Sequence, residues 1–298
     1  MLSILIPIYN FDCTTLVENL LIKINESVEY EIICIDDCST ESNPGLENLA
    51  TKKNVVLIKL ETNLGRSSIR NLLVEKSKYP WLLFLDADIL PVQSTFIENY
   101  IDAISEYPGI KVFFGGIKYR EIDMQNNNHL RYKYGINRES NQVDKRRKTP
   151  HLSMLMSNTI LHRSVFDVVQ LNPTIKKYGH EDAVFSYDLY KKGYYVKHIH
   201  NPVFHTGIET NIVFIEKTKV AVENLLNLYE LGILNPKVNK LLQTFLKIKR
   251  FGFSRTFAMI YNKFGLKMEQ KLDHDNPSLF IFDLFRLSYL CAIYHQKK

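Results

Sequence analysis

Two aspartates, Asp86 and Asp88, stand either side of Ala87 directly after the apolar run Trp81-Leu82-Leu83-Phe84-Leu85. Five bulky apolar residues in a row read as a buried strand. A carboxylate pair just beyond it lies at the strand's carboxyl end, the edge at which open α/β sheets bind ligands. In extended backbone, residues two apart point the same way, so both carboxylates can face one ligand. Paired carboxylates repel unless a cation lies near them. A hard divalent ion shared with substrate phosphates suits that chemistry. The competing reading is a solvated strand-to-loop turn, where Asp is common.

Other segments end the same way. Pro7-Ile8-Tyr9-Asn10 closes the apolar run 2–8, and Asp36-Asp37-Cys38-Ser39 closes 30–35. Asn63-Leu64-Gly65-Arg66-Ser67-Ser68-Ile69-Arg70-Asn71 opens a helical pattern. The elements that must position these residues alternate over the first 115 positions: strands at 2–8, 30–35, 55–60, 81–85 and 112–115, with helices at 14–24, 45–52, 67–76 and about 95–105. That rhythm predicts an α/β fold with a mostly parallel sheet and helices on both faces. All but one of the segments then fall at carboxyl strand ends and can line one crevice.

Residues 118–150 break the rhythm. They are polar and charged, with the basic run Lys145-Arg146-Arg147-Lys148. A long loop is expected there, either solvated or closing as a flap over anionic substrate. A strand and a helix follow within 151–169, a helix runs from Gly179-His180-Glu181-Asp182 to about 192, and extended segments cover 193–205. From 212 onward the spacing is helical, broken at Pro236 and Pro277.

The order of these motifs resembles the family 2 glycosyltransferases of the GT-A fold. P-x-Y-N, D-D-x-S, N-x-G-x-S-x-x-R-N, D-x-D, E-D and a late His follow one another over residues 1–208. The nearest look-alikes are bacterial enzymes that build surface polysaccharide or glycan chains. The resemblance implies a catalytic domain over 1–208 and a helical, basic extension over 209–298. It implies that Pro7 and Tyr9 form the rim of the base and ribose pocket, that Asp37 hydrogen-bonds the nucleobase, and that Gly65 and Arg70 lie beside the donor diphosphate. Where this chain has Cys38 the family often has Gly, which leaves the shape of that turn and the choice of base open. By the same resemblance Asp88 binds the divalent metal, Mn²⁺ or Mg²⁺, with Asp86 on ribose, sugar or metal, and His205 is the late metal-binding histidine. His198 and His200 read as structural. Asp182 matches the catalytic base, with Glu181 binding acceptor or orienting it. The implied reaction is an inverting, single-displacement transfer of a sugar from a nucleotide-sugar, most often a UDP-sugar, to a hydroxyl of a glycan or lipid-linked acceptor. Two alternatives come from other classes. A sugar nucleotidyltransferase should show a Gly-rich basic first loop, and here that loop is Tyr9-Asn10-Phe11-Asp12. A non-catalytic scaffold that kept the fold should have lost its carboxylates, and they are present.

Bulk properties agree with a globular enzyme. The 298 residues are 45% hydrophobic and 23% charged, enough for a full core without staples. Four cysteines show no metal-like spacing, which points to a reducing compartment. No leader pattern and no uncharged stretch of about 18 residues is visible, so a cytoplasmic location is expected. Between residues 236 and 298 there are 12 Lys/Arg against 4 Asp/Glu, more than the whole chain's excess of +6. That asymmetry suggests a tail facing an anionic surface, membrane or nucleic acid. The apolar segment 279–290 reads as a helix packed on the catalytic domain; the alternative is a basic helical surface that docks on anionic lipid at the inner face of the cell membrane. No nucleic-acid module is recognisable.

Overall fold

The computed structural model describes residues 1–25, 27–41, 43–125 and 127–297. The strands are β1 (Leu2–Ile8), β2 (Tyr30–Asp36), β3 (Val55–Lys59), β4 (Trp81–Leu85), β5 (Ile89–Pro91), β6 (Val112–Phe114), β7 (Ile117–Lys118), β8 (Asn158–His162), β9 (Val196–His198) and β10 (Val203–His205). The helices are α1 (Thr14–Lys23), α2 (Pro44–Leu49), α3 (Arg66–Lys76), α4 (Phe96–Glu106), α5 (His129–Tyr134), α6 (Val143–Arg147), α7 (Arg163–Phe166), α8 (Glu181–Lys191), α9 (Asn211–Glu230), α10 (Lys240–Arg250), α11 (Ser254–Leu272) and α12 (Leu279–Gln296).

The chain divides into two compact units. The first holds 1–119, 140–176 and 185–207; the second holds 120–139, 177–184 and 208–298.

In the first unit the main sheet runs β3-β2-β1-β4-β8-β6-β9. β1 to β4 are parallel, and β8 lies antiparallel between β4 and β6. β1 and β4 are apolar on both faces, as strands covered by helices must be. Helix α3 places Ile69, Leu73 and Val74 on a core that includes Leu5, Ile35, Phe84, Phe114, Phe166 and Phe185. At about 25 cal/mol per Å² of apolar area, burial of this kind is the main force holding the sheet to its helices. A second, small sheet has the order β5-β10-β7.

The 118–150 stretch is not the loop its polarity suggests. It contains α5, a π-helical turn at Gly135–Glu139 and α6. The basic run lies on and just after α6, with Lys145, Arg147 and Lys148 exposed and only Arg146 turned inward. Arg146 is buried and donates to the carbonyls of Gly115 (3.1 Å) and Ile199 (2.9 Å). Its guanidinium binds carbonyls distant in sequence, the Gly115 carbonyl alongside the Asn201 amide, which a composition reading cannot see.

The second unit is helical. Leu130 of α5, Phe214 and Ile215 of α9, Met268 and Leu272 of α11, and Phe282 and Phe285 of α12 form its core. The apolar segment that begins α12 is therefore packed within the unit. No helix among the described residues is long and apolar enough to cross a membrane.

Candidate functional site

The carboxyl ends of β1, β2 and β4 lie side by side, because Ile8 pairs with Asp36 and Leu5 with Phe84. The loops beyond them are tied by short polar contacts. Asp36 accepts from the Ser39 hydroxyl (2.6 Å) and amide (3.0 Å), and Ser39 in turn accepts from the Asn10 amide (2.7 Å). The Asn10 side-chain oxygen accepts from the Thr40 amide at 2.8 Å. Cys38 sits at φ 62°, in the left-handed region that Gly occupies without cost.

Asp37 is buried, and both its oxygens are engaged. They accept from the amides of Leu64 (2.7 Å) and Gly65 (3.0 Å). Gly65 has φ 83° and directly precedes α3. Asp37 therefore fixes the loop that starts α3; a nucleobase at this position would use the oxygens' remaining lone pairs. Tyr9 is 52% exposed at the end of β1, with Pro7 half-buried before it.

Arg70 reaches from α3 to the other side of this loop. Its side chain is only 3% exposed and donates to Asp86 at 2.6 Å and to the Arg66 carbonyl at 3.1 Å. Burial pushes the Asp86 carboxyl up, but Arg70, Arg66 and His205 outweigh it, so its pKa lies below the ordinary value. Asp86 is thus an anion bound to a cation on the fold's own frame.

Asp88 and His205 meet for a topological reason. β5 starts one residue after Asp88 and pairs antiparallel with β10, with Ile89 opposite His205. The His205 Nε2 lies 3.4 Å from Asp88 Oδ2. The Asp88 carbonyl accepts from the Thr206 amide (2.8 Å) and hydroxyl (3.0 Å). Tyr119 stacks on the imidazole, ring centroids 5.4 Å apart and 20° between planes. The His205 Nδ1 is buried without a hydrogen-bond partner. Gly207 completes the corner: a Cβ there would stand 2.7 Å from the Asp88 Cβ.

A buried amide network holds β10 at this place. Tyr100 donates to Asn158 (2.7 Å), Asn158 donates to the carbonyls of Gly116 (2.8 Å) and Asn201 (2.9 Å), and Asn201 donates to the Phe96 carbonyl (2.8 Å). Asn158 follows Ser157 in a segment that resembles the family's, which leaves its individual role open, and Asn201 carries no signal beyond an amide in an extended stretch. His198 is buried behind the same edge; its Nε2–H donates to the Pro150 carbonyl at 2.9 Å, and burial lowers its pKa to about 4. His200 is exposed.

Glu181 and Asp182 form the first turn of α8 and belong to the second unit. Gly179 and His180 before them both have positive φ, 93° and 74°. Two consecutive left-handed residues need an outside clamp, since His there is strained. Asn224, buried on α9, supplies it by donating to the carbonyls of Gly179 (2.8 Å) and Lys177 (3.2 Å). His180 Nε2 also lies 2.9 Å from the Ala221 carbonyl.

The sequence matches glycosyl transferase family 2 over residues 3–169, and the chain belongs to that family. It is 28% identical over 208 residues to an uncharacterized glycosyltransferase of Haemophilus influenzae, covering 64% of this chain and 72% of that one. Against a second uncharacterized glycosyltransferase of that organism, 34% identical, it spans 38% of the relative's length. It is 31% identical over 90 residues to the poly(ribitol-phosphate) beta-N-acetylglucosaminyltransferase TarS of Staphylococcus aureus, 29% of this chain and 16% of TarS. The crystal structure of TarS 1–349 with UDP superimposes with a TM-score of 0.55 at 17% identity, over 100% of this chain and 92% of that one. The mannosyltransferase PcManGT of Pyrobaculum calidifontis, solved with GDP-Man and Mn²⁺, gives 0.60 at 11% identity, over 99% and 86%. The mostly parallel sheet with flanking helices and C-terminal helices is therefore the GT-A fold.

Proposed function

We propose that this chain transfers a sugar from a nucleotide-sugar, of UDP type, to a hydroxyl on a glycan or lipid-linked acceptor, in one displacement that inverts the anomeric centre. The observation that carries the reading is the Asp88–His205 pair, held at 3.4 Å by strand pairing beside the Asp86–Arg70 ion pair. It stands at the sheet edge where α/β folds bind ligands.

A divalent metal fits the donors on this corner. A carboxylate oxygen and an imidazole nitrogen suit Mn²⁺, and Mg²⁺ binds through few carboxylates plus substrate phosphates. The buried Nδ1 of His205 lacks the hydrogen-bond partner that usually orients a metal-binding imidazole, so stacking on Tyr119 is what holds this ring. Among the described residues no third His, Cys, Asp or Glu joins the pair. Asp88 and His205 would hold the ion and the donor's own phosphates would complete its shell, with Asp86 bearing on ribose or sugar. When bound, such an ion neutralises charge on the departing nucleoside diphosphate.

The other roles rest on this chain's residues. Tyr9 offers an exposed ring face for base or ribose, with Pro7 behind it. Asp37 holds the Gly65 turn and accepts from the nucleobase. Arg70 holds Asp86 in its ionised form near the diphosphate. Asp182 takes the proton from the acceptor hydroxyl, and Glu181 binds acceptor or orients it. Both sit where helix N-terminal amides favour negative charge. In this reading residues 1–208 form the catalytic domain and 209–298 its extension.

Calorimetric titration with UDP and with GDP, each with and without Mn²⁺, tests the donor site. Metal-dependent binding of UDP is expected. Tight GDP binding with none of UDP would overturn the donor class, and folded protein that binds neither would overturn the reading.

A further inference from the structure

In the second unit, α10 and α11 are joined by the turn Phe251-Gly252-Phe253. Both aromatic side chains at that turn face solvent, Phe251 at 73% and Phe253 at 58% exposure. α10 buries Leu242 and Phe245 and turns Lys240, Lys247, Lys249 and Arg250 outward. α11 buries Ala258, Gly265, Met268 and Leu272. Its outer ridge carries Arg255, Met259, Lys263, Lys267 and Lys271 at four-residue spacing, all exposed. Leu266, 78% exposed, lies between the lysines.

Acids are scarce among these cations, with Asp273 and Asp275 exposed only beyond the end of α11. From Asn239 to Gln270 the single acidic residue is Glu269, and it is turned inward to Lys219 at 3.0 Å. An ordinary solvated helix mixes signs along its face. This face presents one sign only, interleaved with large apolar side chains that a free surface has no reason to expose together.

We infer that the α10–α11 face docks on an anionic phospholipid bilayer, with Phe251 and Phe253 entering the interface and the lysines and arginines seated on the headgroups. The charge sign selects the occupant. Polybasic segments gain from an anionic leaflet residue by residue, and apolar side chains beside them add the non-electrostatic part. Aromatic residues favour the headgroup level. No base-reading motif is recognisable in the sequence of these helices, so the lipid surface is the partner the chemistry fits. The inference is independent of sugar transfer and deepens only the acceptor side of the proposed function: a protein held at a membrane meets lipid-linked hydroxyls at raised local concentration.

The test is co-sedimentation of the full chain with vesicles of phosphatidylglycerol mixed into phosphatidylcholine, with pure phosphatidylcholine vesicles beside them. No nucleotide is added, so a failure here is separable from a failure of the donor site. Binding is expected to the mixed vesicles alone, and to fall with rising salt as screening shortens the field. Lys263→Glu with Lys267→Glu should weaken it by about tenfold or more. Phe251→Ser with Phe253→Ser should weaken it while leaving the salt dependence in place. Lys52→Glu with Lys53→Glu makes the same change in net charge on an exposed turn of the first unit and should bind as the parent does. Each variant is checked by circular dichroism for unchanged helix content. The proposal is overturned if the folded chain ignores the mixed vesicles, if it binds phosphatidylcholine equally, or if the Lys52/Lys53 variant loses as much as the Lys263/Lys267 variant. It is likewise overturned if the chain ignores vesicles and is retained by duplex DNA.

Discussion

Asp88 is held on three sides by its own chain: by the strand that follows it, by Thr206 on its carbonyl, and by Gly207 against its Cβ. Such a residue is built to keep one orientation. Asp88→Ala should abolish the metal-dependent part of nucleotide binding, read by calorimetry; unchanged Mn²⁺ dependence would remove Asp88 from the metal role. Asp182→Asn should behave oppositely, keeping nucleotide affinity while turnover falls about 10²–10⁴-fold, the usual worth of a general base. Transfer at the parent rate would end that assignment. Gly207→Ala reports on the surroundings of the site. Its new methyl collides with Asp88, and displaced support for a metal ligand costs roughly 10–100-fold in affinity. Binding measured in Mn²⁺ should weaken by about that much while metal-free binding stays level.

Among elements, the turn into α8 offers the clearest lever. Asn224 bridges two carbonyls of the turn from a buried position on α9. Asn224→Leu removes those donors from part-buried carbonyls, a cost of about 0.5–1.5 kcal/mol. If Asp182 is the base, kcat should drop ~10- to 100-fold with nucleotide affinity unchanged, since small misplacements of a reacting group cost that much. A lower melting temperature with full kcat would make Asn224 structural only. The main-sheet strands and most helices were legible because each is a run of one periodicity bounded by turn residues. The donor-side motifs were legible for a related reason: they sit where such runs stop. The roles of Asn224, Asn158 and Arg146 were not. Each acts by satisfying backbone carbonyls far away in sequence, and neither residue type nor local spacing encodes the distant partner. The helices of 118–150 escaped for the same cause. Leu130 is buried only because Phe214 and Phe282 come to it from distant α9 and α12. Asp37 was read as a ligand residue, and its two bonds to the Gly65 loop appear only when both loops are in place.

For the molecule as a whole, buried histidine sets an acid limit. His198 keeps a neutral ring in the fold because burial holds its pKa near 4, against the usual 6.5. Unfolded chain therefore binds a proton that folded chain refuses in that interval, and stability falls as pH drops from about 6.5 toward 4. Asp86 works in the same direction lower down: its depressed pKa lends stability above the ordinary carboxylate value, which is lost as acid titrates it off Arg70. Urea midpoints between pH 7 and 4 should decline, and His198→Gln, which can still donate to Pro150, should flatten the upper part of that decline. A flat profile in the parent chain would contradict the assignment.

The place of β8 in the sheet has a consequence for how the protein is made. β4, the strand that delivers the D-x-D carboxylates, has β1 on one side and β8 on the other. β1 is synthesised before it, whereas β8 is drawn from residues 158–162. A nascent chain on the ribosome thus carries the apolar β4 for more than seventy residues with one ladder of amides and carbonyls unpaired. Such an edge is a template for pairing with other chains. Chains stopped short of residue 158 should accumulate as aggregates, and chains carried past 162 should not, so that completion of the donor-binding half is timed by a strand that contributes no motif to it.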